Sequence, residues 1–190
     1  MIRLFLALPL SEGEAQVLWN KWEPSRFSSP RIRWTPADQY HITVLFFGDL
    51  EKSEIPVICA QMDEAARLYS SLKVKTDGPG QFPFKGHPRV FIEHLIEQGA
   101  TAQGQLSSLQ HYLYLNLKDR YKLGNRRFRP HITTARIGGN PKNTVIDLFN
   151  GESGFYVSDE ISFTLENLVL FESVLRPDGA VYSPLYSVKL

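Results

Sequence analysis

The 190-residue sequence predicts an α+β fold of mostly antiparallel sheets, and three observations lead there. Apolar residues make up 43% of the chain, enough for a sizeable core. Strand-like and helix-like patterns alternate without the regular rhythm of a parallel doubly wound sheet. The C-terminal third reads as strand after strand, with a turn sequence, Arg176-Pro177-Asp178-Gly179, between the last two.

Taken in order, residues 2–8 read as a first strand. Ser11 is suited to cap a helix, and Glu14 three residues later completes a capping box. Ala15, Leu18, Trp19 and Trp22 follow at helical spacing until Pro24 stops the helix. Residues 25–40, with Ser, Pro and Arg, read as loop. Residues 41–47 are β-branched and aromatic, hence strand. Ser53 is expected to open a second helix to about Tyr69, with Pro56 tolerated in its first turn. Leu72–Thr76 alternates as a strand, DGPGQFPFKGHP (77–88) reads as a loop, and Arg89–Ile96 as the next strand. Thr101 is expected to cap a long helix with Leu106, Leu109, Leu113 and Leu117 on one stripe. Residues 131–137 form a strand. A short helix near 142–149 and strands near 155–157, 161–172 and 181–189 complete the reading.

Bulk properties narrow the function classes. A net charge of +1 gives no whole-molecule attraction to nucleic acid or membrane, so any such preference needs a local patch. No stretch approaches the roughly 18 apolar residues of a membrane span. The apolar start, MIRLFLALPL, reads as a strand rather than a signal peptide. The single cysteine, Cys59, excludes an intramolecular disulfide and reads as a small buried hydrophobe. A cytoplasmic monomer is expected, with no membrane contact and no protein partner implied.

Two stretches carry chemistry: HITVLFFG (His41–Gly48) and HITTARIG (His131–Gly138). In a strand, residues i and i+2 share a face, so His41 joins Thr43 and His131 joins Thr133. Each pair sets a proton-transferring imidazole beside a hydroxyl that can bond a phosphate oxygen. At i+5 the copies differ, with Phe46 in one and Arg136 in the other. That odd offset shares the face only if the strand twists, bulges or ends. If the two strands meet, one histidine can take a proton from water while the other gives one to a departing oxygen. Arg136 can clamp phosphate oxygens and Phe46 can stack on a base. No metal is needed, and His87, His94 and His111 lack ligand spacing; they read as structural or surface residues. The alternatives are ordinary strand residues at His41, Thr43, Phe46, His131, Thr133 and Arg136. Lys118, Arg120, Lys122, Arg126, Arg127 and Arg129 precede His131, and Arg26, Arg31 and Arg33 precede His41. These runs suit either a solvated face or an RNA backbone. Phe27 and Trp34 offer further stacking groups.

The two motifs resemble the paired HxTxxF and HxTxxR motifs of the two-histidine (2H) phosphoesterases. The similarity is greatest to the bacterial RNA 2′,3′-cyclic phosphodiesterase branch, also labelled 2′-5′ RNA ligase. RLFLALPL, PRVFIEHL, FRPHITTAR and LVLFESVLRPDGAVYSPLYSV extend it over nearly the whole chain. The resemblance implies a bilobal α+β fold with pseudo-twofold symmetry, two sheets flanking a central cleft, and helices on the outer faces. Residues 1–190 would form one domain of two intertwined lobes. It implies metal-free, cofactor-free hydrolysis of an RNA or nucleotide 2′,3′-cyclic phosphate to a 2′-phosphate. His41 would protonate the leaving O3′ and His131 would activate water. Thr43, Thr133 and Arg136 would bind phosphate, and Phe46 would stack on the terminal base. Reversible 2′-5′ RNA joining, 2′-5′ oligonucleotide cleavage, and nucleotide or RNA binding without turnover are the alternatives.

Overall fold

The computed structural model describes residues 1–23, 32–84, 88–98, 104–125, 127–138, 160–177 and 179–190. The helix expected at 142–149, the strand at 155–157, Pro24, Arg26, Phe27, Arg31, His87, Thr101, Arg126 and Asp178 lie outside the described residues. Nine strands and three α-helices are described: β1 (Ile2–Pro9), α1 (Glu12–Lys21), β2 (Ile32–Trp34), β3 (His41–Leu50), α2 (Ile55–Leu68), β4 (Leu72–Phe82), β5 (Val90–Glu97), α3 (Gln105–Tyr121), β6 (His131–Ile137), β7 (Ser162–Leu165), β8 (Asn167–Arg176) and β9 (Gly179–Lys189).

The strands run in the order β7-β4-β5-β6-β3-β1-β8-β9, with β2 added to β6. Every described pairing is antiparallel. The path is a palindrome in kind: β6 and β3 are central, and β5-β4-β7 on one side answers β1-β8-β9 on the other. The two expected sheets are the halves of this path, joined by one residue pair, Ile42↔Ile132. The pseudo-twofold therefore passes between these two isoleucines. The chain also crosses halves, since β2, between β1 and β3 in sequence, pairs with β6, and β8 returns to pair with β1.

Alternation along the strands decides which residues face the helices. Leu4, Leu6 and Leu8 of β1 join Ile42, Ile132, Ile58, Met62 and the α3 stripe Leu106, Leu109, Leu113 and Leu117 in one core. Burying a leucine of this kind contributes about 1.5–3 kcal/mol. Helix α1 begins at the expected capping box, with the Ser11 hydroxyl and Glu14 carboxylate each serving the other's backbone N–H. At its far end Lys21 reaches Glu93 on β5, Nζ to Oε1 2.8 Å, with both side chains buried. That ion pair ties α1, which follows β1, to the opposite half of the sheet.

Several expectations are corrected. The stretch 25–40 contains β2 and a 3-10 turn, Ala37–Gln39. Trp34 and Ile32 pack against the buried Ala135 and Phe91, so tertiary burial rather than local pattern makes this a strand. Ser53 lies inside a 3-10 turn, Lys52–Glu54, and α2 starts at Ile55 without a side-chain cap. Pro56 in the first turn lowers the need for one, because it brings no N–H. The loop expected at 77–82 is the second half of β4, accommodated by a register shift between Thr76 and Pro79. The span 161–172 is divided between β7 and β8. Cys59 is partly buried, and burial raises its thiol pKa, which keeps it in the unreactive form.

Candidate active site

The central pair fixes the site. With Ile42 opposite Ile132 in antiparallel register, His41 falls across from Thr133 and Thr43 across from His131. All four side chains stand on the face opposite the two buried isoleucines. The histidines are diagonal neighbours, about 7–8 Å apart at this register. Two groups so spaced can reach one phosphate from opposite sides.

Both strands then bulge at the same place. Along β3, Thr43 faces Ala7 while Leu45 faces Leu6, so Val44 is the extra residue. Along β6, Thr133 faces Ile92 while Ala135 faces Phe91, so Thr134 is the extra residue. A bulge at i+3 turns the odd i+5 offset into an even one, and Phe46 and Arg136 rejoin the face of their histidines. The burial sequence of the two motifs is the same over six residues: half-buried, buried, half-buried, buried, buried, exposed.

Antiparallel geometry also crosses the partners. Running away from His41, β3 carries Phe46 toward His131; β6 carries Arg136 toward His41. A cavity of about 410 Å³ is accordingly lined by His41, Arg136, Thr133, Thr43 and Phe46, together with Arg33, Trp34 and Tyr182. A second, about 990 Å³, is lined by His131, Thr43 and Phe46, with Phe82, Phe84, Tyr114, Arg127 and Arg129. The structure thus brings all six predicted site residues to one face, with Thr43 and Phe46 bordering both cavities.

Each imidazole is held alike. His41 Nδ1 donates to the Gln39 carbonyl at 2.7 Å, and His131 Nδ1 donates to the Arg129 carbonyl at 2.8 Å. A carbonyl only accepts, so the proton must sit on Nδ1 and the neutral ring carries its lone pair on Nε2. Aromatic rings wall both. Phe5 lies 5.2 Å from His41 and Tyr182 stands perpendicular to it at 5.4 Å. Phe82 lies edge-on to His131 at 5.0 Å. Burial lowers the His41 pKa to about 4, with His131 and Arg136 pushing the same way and the Gln39 carbonyl opposing. Burial also lowers His131, helped by His94.

His94 sits directly across from His131 on β5, and Gly80 makes room for it: a β-carbon there would lie 2.2 Å from His94 Nε2. Phe82, Phe84 and Tyr182 were hidden from sequence reasoning inside an expected loop and a hairpin arm. The only signal for the first two was the aromatic spacing in QFPF. Among the described residues no group of three or more His, Cys, Asp or Glu could hold a metal ion, and no helix is long and apolar enough to cross a membrane.

This fold is shared with solved structures. A Thermus thermophilus protein superposes with a TM-score of 0.79 at 24% identity, covering 100% of this chain and 98% of that one. Escherichia coli LigT, in its complex with 3′-AMP, superposes at 0.70 and 22% identity, covering 100% and 98%. The family profile described as the 2′-5′ RNA ligase superfamily matches residues 10–175, and the chain belongs to that superfamily, whose members are 2H phosphoesterases. Among its relatives, the RNA 2′,3′-cyclic phosphodiesterase of Thermus thermophilus is 29% identical over 194 aligned positions, covering 100% of this chain and 90% of the relative. The Archaeoglobus fulgidus enzyme of the same name is 30% identical over 159 positions, covering 81% of each.

Proposed function

We propose that this chain is an RNA 2′,3′-cyclic phosphodiesterase, working as one domain of two intertwined lobes over residues 1–190. The observation that carries the reading is the diagonal placement of His41 and His131 about the Ile42–Ile132 pair, each with Nδ1 bonded to a carbonyl and its lone pair on Nε2. The names of the relatives support the same reading. The cyclic phosphate binds between the histidines, its non-bridging oxygens taken by Thr43, Thr133 and the Arg136 guanidinium. The terminal nucleoside occupies the 410 Å³ cavity beside His41. Phe46 offers one ring face to the base, while Arg3 covers the other at 5.3 Å.

Water attacks from the His131 side. His131 Nε2 takes its proton as the new P–O bond forms. The P–O3′ bond breaks, and His41 delivers a proton to O3′, leaving a 2′-phosphate. His41 is neutral at pH 7 in the free protein. The bound phosphodiester anion favours its imidazolium, so His41 takes up a proton from solvent as substrate binds and gives it to O3′ in the reaction. Arg136 stabilises the extra negative charge of the transition state.

A second reading has its own observation. The 990 Å³ groove beside His131 has room for a nucleotide whose 5′-hydroxyl stands where water would attack. The same site then joins or cleaves a 2′-5′ linkage. Product analysis separates the cases. Incubating an RNA that ends in a 2′,3′-cyclic phosphate should yield a 2′-phosphate end. Joined product with an added 5′-hydroxyl strand, in place of the 2′-phosphate end, would favour the second reading. Tight binding of a nucleoside 2′-phosphate with no turnover of either substrate would make the protein a binding module.

A further inference from the structure

Arg33 and Arg136 stand directly opposite each other on β2 and β6, and both line the 410 Å³ cavity. Like charges in that cross-strand position repel. Neither guanidinium forms an ion pair with a described residue, and no carboxylate of a described residue lines the cavity. Arg33 is nonetheless held in place. Its guanidinium packs on the bare backbone of Gly179 at the β8–β9 turn, where a β-carbon would lie 3.1 Å from Nη1. Gly179 has φ +138°, a conformation that itself favours glycine. Two guanidiniums without an ion pair among the described residues, one of them seated against a specially shaped backbone, can take up more negative charge than one phosphodiester supplies.

The two differ in reach. Arg136 acts on His41 and so stands within range of the reacting phosphate. Strand β2 continues along the edge of β6 that β3 leaves after the Ile42–Ile132 pair, so Arg33 lies beyond His41, away from the centre.

We propose that Arg33 and the end of the cavity around it form a subsite for the phosphodiester that precedes the terminal nucleotide of a single-stranded RNA. The inference rests on the cyclic phosphodiesterase reading and narrows it: the preferred substrate is an RNA end rather than a mononucleotide. Arg136 holds the reacting phosphate, the nucleoside spans the cavity, and Arg33 holds the next phosphate back.

The test compares kcat/KM for a short oligoribonucleotide ending in a 2′,3′-cyclic phosphate with kcat/KM for a nucleoside 2′,3′-cyclic monophosphate, in wild type, Arg33→Gln and Arg33→Lys. Arg33→Gln should lower the oligonucleotide-to-mononucleotide ratio about tenfold, and Arg33→Lys should recover part of it. The slope of log KM against log salt for the oligonucleotide should shrink by about 0.7, the share of one phosphate contact on a single strand. An unchanged ratio overturns the subsite. If both substrates suffer equally, Arg33 works on the reacting phosphate; if neither suffers, it is a solvated charge. Wild-type protein that turns over neither substrate refutes the phosphodiesterase reading itself, and with it the subsite.

Discussion

The His41 half and the His131 half of the site are built to one plan and equipped differently. Both strands carry His and Thr on the open face, bulge at i+3, and hold the imidazole through a carbonyl two residues earlier. What differs is the residue delivered by the bulge and the space around each ring. The His41 side has a 410 Å³ cavity with Arg33, Arg136 and Trp34, and burial lowers the His41 pKa to about 4; the His131 side has a 990 Å³ groove with Arg127 and Arg129, rimmed by Phe82 and Phe84. The lesson is that a duplicated frame supplies geometry, while the unmatched residues supply roles. Because the strands are antiparallel, each half also lends its distinctive residue to the other half's histidine. On the proposed mechanism, neither motif is a working site alone.

The sharpest break of this comparison removes the histidines one at a time. His41→Ala and His131→Ala should each lower kcat by about 10²–10⁴-fold while circular dichroism and the unfolding midpoint show a retained fold. If either variant kept full activity, the two-sided mechanism would fail. The next largest effect separates the i+5 residues by the parameter they move. Arg136→Gln should cost about 10²-fold, mostly in kcat, because its charge matters most in the transition state. Phe46→Ala should raise KM by about 5–100-fold, the worth of one stacked base, with kcat little changed. Both variants losing only KM would mean that the halves share one role.

How much of this the sequence disclosed follows from where each residue's information resides. His41, Thr43, His131 and Thr133 were legible because period-two alternation is local, and two copies pointed to one site. Phe46 and Arg136 were legible as types but not as geometry, since the sharing of a face depends on bulges at Val44 and Thr134 that register with β1 and β5 creates. Strand β2 and the second half of β4 were missed because Pro and Gly mark turns locally. Here Pro79 and Gly80 sit at and just beyond a register shift, within a paired strand. The cavity partners Tyr182 and Phe82 come from elements far away in sequence; the aromatic spacing in QFPF is the one local mark of Phe82, and nothing near Tyr182 marks it.

The smallest expected effect is on stability, and it too distinguishes the halves. A histidine whose folded pKa is depressed binds its proton more readily in the unfolded chain. Between the two pKa values stability therefore rises with pH. For His41 the folded value is about 4 against an ordinary 6.5, so its contribution is complete above pH 6.5 and is lost as pH falls toward about 4. His131 is depressed in the same direction by burial and by His94. Replacing either ring with Asn removes the titration, and each 1 kcal/mol no longer lost in acid should appear as about 2–4 °C in the unfolding midpoint. Wild type should therefore lose more stability between pH 7 and pH 4 than His41→Asn does, with His131→Asn in between. The ordering follows from burial, since His41 is enclosed by Phe5, Phe171 and Tyr182 and also feels Arg136. Parallel midpoint-against-pH curves for wild type and His41→Asn would show that the ring titrates as in water. The aromatic enclosure would then not set its protonation, and the need for a bound phosphate anion to favour the imidazolium would go with it.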